Sequence, residues 1–293
     1  VITCRAGVPL AEIRELLASN GQHLPFDPPA FGDSATIGGT VACGLSGPGR
    51  PWAGSLRDYL LGVKIVNGKG EVLSFGGQVM KNVAGYDIAR LQAGALGTLG
   101  LISRISLKVL PRPEHSLTLV QELDASRALT VMNRLGGQAK PLSAACWFGG
   151  RLYLRLSGAA AAVKHTATSW GGEQLGEGAG PWAALREMQL PFFQGDAPLW
   201  RLSQRSTAPL PGGEDNCLLD WGGARRWVYA GDGDALHTHA DAAGGHATLF
   251  RGGDRSGEVR HPASATEQRL SRRLKQALDP DGIFNPGRLY SWM

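Results

Sequence analysis

The chain has 293 residues, 43% hydrophobic and 19% charged, a composition that suits one large or two ordinary globular domains. Thirty basic against 25 acidic residues leave a formal charge of +5 without any long basic run. Nucleic-acid binding therefore has no support, and an anionic small molecule or an acidic partner fits the charge equally well. Four dispersed cysteines (Cys4, Cys43, Cys146 and Cys217) without a CxxC pair cannot build a local zinc or iron–sulfur site and suit reduced thiols.

VITCRAG reads as a strand and lacks the basic lead and long apolar run of a signal peptide. Because it opens inside a strand and without Met, residues are expected to precede Val1. PLAEIRELLASNG follows as an amphipathic helix, with Leu10, Ile13, Leu16 and Leu17 at helical spacing and Gly21 as the stop. HLPFDPPAFGDS is a loop. ATIGGTVACG then sets the adjacent pair Gly38 and Gly39 among the β-branched residues Thr36, Ile37, Thr40 and Val41. Either the backbone turns sharply there, or another body approaches so closely that no Cβ fits. RDYLLGVKIVNGKGEVLSFGG predicts two strands joined at Asn67–Gly70, and QVMKNVAGYDIARLQAG a loop and a short helix. GALGTLGLISRISLKVLPRP is a glycine-spaced turn and a strand stopped by Pro111.

Beyond Pro113 the order strand, helix, strand, strand, helix (LTLVQEL, DASRALTVMNRLGG, LSAACWF, RLYLRLSG, AAAAVKHTATSWGG) is that of a ferredoxin-like sandwich. WRLSQRS, NCLLDWG and RRWVYAG are further strands. The last helix carries Leu270, Leu274 and Leu278 four apart, ahead of DPDGIFNPGR. Two domains, 1–112 and 113–293, are expected.

Common chemical motifs do not fit. GALGTLG has GxxGxxG spacing rather than GxGxxG, with no acidic residue about twenty positions on, and GVKIVNGKG misses the P-loop spacing and its Ser/Thr. No GxSxG elbow occurs. His237 and His239 would share a face only on a strand, so a metal is not expected. No run approaches the roughly 18 apolar residues of a membrane-spanning helix.

The order DPPAFGDSATIGGTVACGLSGPGRPWAGSLRDY, then VMKNVAGYDIARLQAGALGTLGLISRISLKVLPRP, then DPDGIFNPGR resembles the vanillyl-alcohol oxidase/p-cresol methylhydroxylase flavoprotein superfamily. Within it, LDWGGARRW and AGGHATLFR resemble the family of FAD-binding subunits of bacterial glycolate oxidase. The resemblance implies an α+β fold: an FAD-binding domain of the PCMH type at 1–112, lacking its first subdomain, and a ferredoxin-like cap at 113–293. It implies FAD as cofactor, held by Pro28, Ser34, Ala35, Thr36, Ile37, Gly38, Gly39, Thr40, Ala42, Gly97, Leu101 and Ile102. Backbone N–H groups at Gly38 and Gly39 would meet the pyrophosphate where no Cβ intrudes.

It further implies oxidation of glycolate, or another small 2-hydroxy acid, to the 2-oxo acid. Partners would be a homologous catalytic flavin subunit and an iron–sulfur subunit, in the cytoplasm or peripheral at the inner membrane. A non-catalytic assembly subunit and a self-sufficient oxidase remain open alternatives. The chain lacks the HxGDGNxH segment of catalytic relatives, so no catalytic residue is assigned. His246 is the one candidate substrate-facing group, with Arg251 as a carboxylate clamp. Tyr86 is a candidate to pack beside the ring system, and Asp87 to fix its loop. Trp52, Trp221 and Trp227 lie in turn-rich stretches expected to be exposed.

Overall fold

A computed structural model describes residues 1–77, 87–176, 178–211 and 216–293. The chain divides into two compact units. One comprises residues 1–47, 54–112 and 262–293, and the other 48–53 and 113–261. The change at Pro113 is thus a unit boundary, but residues 262–293 belong to the first unit rather than to one continuous second domain.

The first unit is a four-stranded antiparallel sheet in the order β1 (Ile2–Arg5), β5 (Leu101–Leu107), β3 (Leu60–Val66), β4 (Val72–Gly76). A two-residue ladder, β2 (Gln22–His23) with β6 (Leu110–Pro111), lies beside it. Helices α1 (Leu10–Ser19), α2 (Ile37–Cys43), α4 (Leu56–Tyr59) and α5 (Ile88–Leu91) close one apolar cluster against it. Leu10, Ile13, Ile37, Val41, Leu56, Ile65, Ile105 and Leu107 form its fully buried centre. Seven residues are too few for α2 to be stable alone; burying Ile37 and Val41, worth ~1.5–3 kcal/mol each, holds it in place.

The hairpin turn forms where its residues demand. The Asn67 side-chain oxygen accepts from the N–H groups of Lys69 (3.0 Å) and Glu71 (2.9 Å). Gly68 is needed because a Cβ there would lie 2.2 Å from Asp279 Oδ1. That carboxylate comes from the end of α10 (Ala265–Leu278), begun by a Ser264/Glu267 capping box. Two of the three leucines mark its buried face, Leu278 buried and Leu274 packed against the same cluster, whereas Leu270 is 56% exposed and Lys275 is buried beside them.

The second unit is an eight-stranded sheet in which every pairing is antiparallel. β7 (His115–Glu122), α6 (Ala125–Gly136), β8 (Leu142–Phe148), β9 (Arg151–Gly158), α7 (Ala160–Trp170) and β10 (Glu173–Leu175) come first. Their spatial order, β10-β7-β9-β8, is ferredoxin-like. The sheet continues as β12 (Cys217–Asp220), β13 (Arg225–Tyr229), β11 (Leu199–Ser203) and β14 (His246–Arg251). Strand alternation divides its side chains. Ala145, Trp147, Trp200 and Leu202 join α6, α7 and α9 (Gly233–Ala242) in one core. Ala144, Cys146, Leu199 and Trp227 pack with α8 (Trp182–Arg186) in another. α3 (Arg50–Ala53) also belongs to this unit.

Arg226 is fully buried and, among the described residues, meets no carboxylate; its guanidinium donates to the carbonyls of Gly223 (3.1 Å), Ala208 (2.6 Å) and Pro209. Trp227, expected to be exposed, is 4% exposed in β13, whereas Trp52 and Trp221 are half-buried.

Candidate flavin site

The glycine pair stands in the first turn of α2, after Thr36 as N-cap, whose hydroxyl accepts from the Gly39 N–H at 3.1 Å. The two glycines serve different ends. A Cβ on Gly38 would lie 2.7 Å from Ala6 Cβ and 2.8 Å from its carbonyl oxygen, so this glycine lets the helix press onto the end of β1. A Cβ on Gly39 would meet only Thr36 Oγ1, at 3.4 Å, and its face is exposed.

The N–H groups at this helix start are already bonded. Ile37 donates to the Val8 carbonyl (3.0 Å), Gly38 to Ala6 (2.8 Å) and Thr40 to Thr36 (2.9 Å). The bare face of Gly39, rather than the N–H of Gly38, is what remains accessible.

The second glycine segment packs directly on the first. Gly94 N–H donates to Val41 (3.0 Å), Leu96 N–H to Ala42 (2.9 Å) and Ala6 N–H to Ser103 (3.0 Å). Gly44, in the left-handed region at φ 63°, ends α2 where a Cβ would come within 2.7 Å of Gly94 N. Gly97 is left-handed at φ 70° beside Asn285. Leu101 is 59% exposed at the start of β5, while Ile102 points into the core. Pro28 is buried, its carbonyl accepting from Arg14 Nη2.

Segments 35–44 and 94–103 are therefore brought together. From Ser34 to Gly44 every residue with exposed or half-exposed surface is Ser, Ala, Thr, Gly or Cys, leaving a low strip of accessible backbone and hydroxyls.

The C-terminal DPDGIFNPGR locks this arrangement, a role its sequence did not disclose. Lys275 Nζ donates to the carbonyls of Thr98 (2.8 Å) and Phe284 (2.7 Å) and to Asp279 Oδ2 (2.6 Å). Asp279 also accepts from the N–H groups of Ile283 (3.0 Å) and Phe284 (2.8 Å). Burial pushes the Asp279 carboxyl up, but the Lys275 hydrogen bond, these two N–H groups and the lysine charge together hold it below its ordinary value. Asn285 Nδ2 reaches the Leu96 carbonyl at 2.7 Å.

In the second unit the arginine clamp is not available. Arg251 donates to the carbonyls of Phe193 and Gly195 (3.4 Å) and to the Tyr229 hydroxyl (3.1 Å), pinning the 193–195 turn. His246 is exposed at the start of β14, its ring 6.4 Å from that of His261. His237 and His239 lie on helix α9 and diverge. His237 packs edge-on to Trp200 and His261, and His239 Nε2 is 3.4 Å from Gln204. Among the described residues no group of three His, Cys, Asp or Glu side chains could hold a metal ion. Asp87 caps α5 by accepting from the Arg90 N–H (3.3 Å); Tyr86 lies outside the described residues.

Comparison with known proteins places this geometry. Residues 1–76 match the FAD binding domain family. The whole chain resembles a solved alkyldihydroxyacetonephosphate synthase with a TM-score of 0.62 at 14% identity, covering 97% of this chain and 64% of that one. These features define a flavoprotein with the PCMH-type FAD-binding fold, and FAD is its cofactor. The glycolate oxidase subunit GlcE of Escherichia coli (strain K12) is 48% identical over 99% of this chain and 82% of its own length. The chain belongs to the GlcE family. The glycolate oxidase subunit GlcD of Bacillus subtilis (strain 168) is 34% identical over 47% of this chain, and over 30% of its own length.

The residues present fit the cofactor. Gly39 offers a surface that a side chain would fill, and Thr36, having accepted from Gly39, keeps its own hydroxyl hydrogen to donate outward.

Proposed function

We propose that the chain holds FAD along the Ser34–Gly44 strip and is a flavin subunit of a complex that oxidises glycolate, or a related small 2-hydroxy acid, to the 2-oxo acid. The observation that carries this reading is the 48% identity over 99% of the chain to a glycolate oxidase subunit. Bound flavin supplies the two-electron acceptor that such an oxidation needs. The chain's own part is to bind and orient. Ser34 and Thr36 present hydroxyls and Gly39 bare backbone, while the exposed Leu101 side chain gives an apolar contact.

Onward transfer falls to an iron–sulfur partner. Two of the chain's four thiols are unsuited to a cluster, since burial pushes Cys217 up to about 12 and holds Cys146 well above its ordinary value, and among the described residues no group of three His, Cys, Asp or Glu could hold a metal. Acid–base catalysis falls to a homologous flavin subunit, a reading supported by the engagement of Arg251 in structural bonds.

Glycolate-dependent dye reduction tests the proposal. The chain co-expressed with a GlcD-like and an iron–sulfur subunit is expected to turn over, and the chain alone with excess FAD is not. Turnover by the chain alone, lost on His246→Ala, would overturn the division of labour.

A further inference from the structure

The loop that leads into the Ser34–Gly44 strip holds two side chains on a backbone that disfavours them. Asp27 lies at φ 47° and Phe31 at φ 53°, both in the left-handed region. Aspartate visits that region readily enough, but for a bulky residue such as phenylalanine it is an outlier that stores strain. Phe31 is also 51% exposed. A ring held half in water on a strained backbone is disfavoured on both counts.

The chain on either side of Phe31 is firmly tied. Before it, Phe26 is fully buried against Tyr59, with ring centres 5.8 Å apart, and its carbonyl accepts from the Gly47 N–H at 2.9 Å. A Cβ on Gly47 would lie 2.2 Å from the Asp27 carbonyl oxygen, so the two segments touch backbone to backbone. Arg14 Nη2 donates to the Pro28 carbonyl. After it, the Ala35 carbonyl accepts from the Leu10 N–H at 2.8 Å. These ties hold the loop in place, and strain of this kind persists where the surroundings fix it and collects at ligand clamps.

Phe31 stands three residues before Ser34, so the two Cα atoms are at most about 11 Å apart. FAD carries a planar ring system at each end of its pyrophosphate. Aromatic side chains stack on such rings with little regard to which ring it is, because each offers a π face.

We propose that Phe31 is the stacking platform for a planar ring of the bound flavin nucleotide, and that this contact offsets the strain and exposure of the residue. The inference rests on the flavin reading of the Ser34–Gly44 strip and adds to it a binding residue outside that strip.

Titration of the flavin-stripped full-length protein with FAD, followed by absorbance, tests it. Phe31→Leu keeps an apolar side chain on the same backbone but removes the π face, and should bind FAD about tenfold more weakly. Phe31→Tyr keeps the ring and should bind as wild type does. Phe31→Asn, a residue that accepts the left-handed region, should lose affinity as the leucine variant does, yet melt no lower than flavin-free wild type. ADP and FMN, titrated separately, identify the ring: the one whose affinity falls in Phe31→Leu carries the stacked ring.

Equal FAD affinity in wild type and Phe31→Leu would refute the platform, and if Gly39→Val still shed its flavin the strip would stand without it. Failure of wild type to bind FAD would overturn both readings. ADP and FMN affinities that are both indifferent to Phe31→Leu would likewise refute the contact. A lower flavin-free midpoint in Phe31→Asn would show that the ring supports the fold and would reject the proposal.

Discussion

At Gly38 and Gly39 one residue type answers two requirements, and the difference between them is measurable. Gly38→Ala must drive a methyl into Ala6, where both the Cβ and the carbonyl oxygen lie inside 3 Å. The expected cost is about 1–3 kcal/mol. Gly39→Ala places its methyl on an exposed helix face with only Thr36 Oγ1 near it, at 3.4 Å, where exchanging glycine for alanine contributes about 0.5–1 kcal/mol of stability. Urea unfolding of the two variants should therefore move in opposite directions; shifts of the same sign would contradict the geometry. The sequence disclosed the pair but not this asymmetry, because nothing in ATIGGTVACG says which glycine faces Ala6, more than thirty positions away. For the same reason Arg251 looked available. Its bonds run to residues 193, 195 and 229, distant in the chain.

The elements divide by length and by the range of their contacts. Helix α1 and the β3–β4 hairpin were legible, because their apolar spacing and the Asn67–Gly70 turn are local signals. β10, with three residues, and β14, hidden between glycine pairs, were not read as strands; each is held by pairing with a distant partner. α10 was legible as a helix, and its leucine spacing as far as Leu274 and Leu278, which pack inward; that Leu270 stays exposed and that Lys275 is buried with Asp279 and two carbonyls was not legible.

Asp279→Asn leaves the buried ammonium without its counter-charge and should cost ~3–5 kcal/mol, read as a lower urea midpoint. The pH dependence has a fixed sign. The native pKa of Asp279 is lowered, so its contribution is complete above the unfolded carboxylate value, about 3.9, and is lost as pH falls through the native value. Wild type should therefore lose stability over that acid range more steeply than Asp279→Asn. Parallel acid profiles would contradict this.

The chain folds as two compact units, and the sequence showed the change at Pro113 but not that the chain returns to the first unit after residue 261. The ferredoxin order came from the succession of elements, which survives without three-dimensional knowledge, and the fold class from the resemblance of the glycine-rich segments to the flavoprotein superfamily. The return of residues 262–293 to the first unit depends on Gly68 meeting Asp279 and Lys275 meeting Thr98, contacts about 200 residues apart in sequence. Removing residues 262–293 should consequently loosen the 94–101 segment, seen as faster amide exchange there; unchanged protection would show that segment to be self-supporting.

The central claim is that FAD lies on the low strip beside Gly39. It is tested most directly by the flavin absorbance retained through purification by the full-length protein and by its Gly39→Val variant. Valine's Cβ meets only Thr36 Oγ1, at ordinary contact distance, so the variant should keep its circular dichroism and melting midpoint while its branches cover the strip. The account predicts bound flavin in wild type and a loss of at least tenfold in affinity in the variant, about 1.4 kcal/mol. Equal flavin content in the two proteins would contradict it.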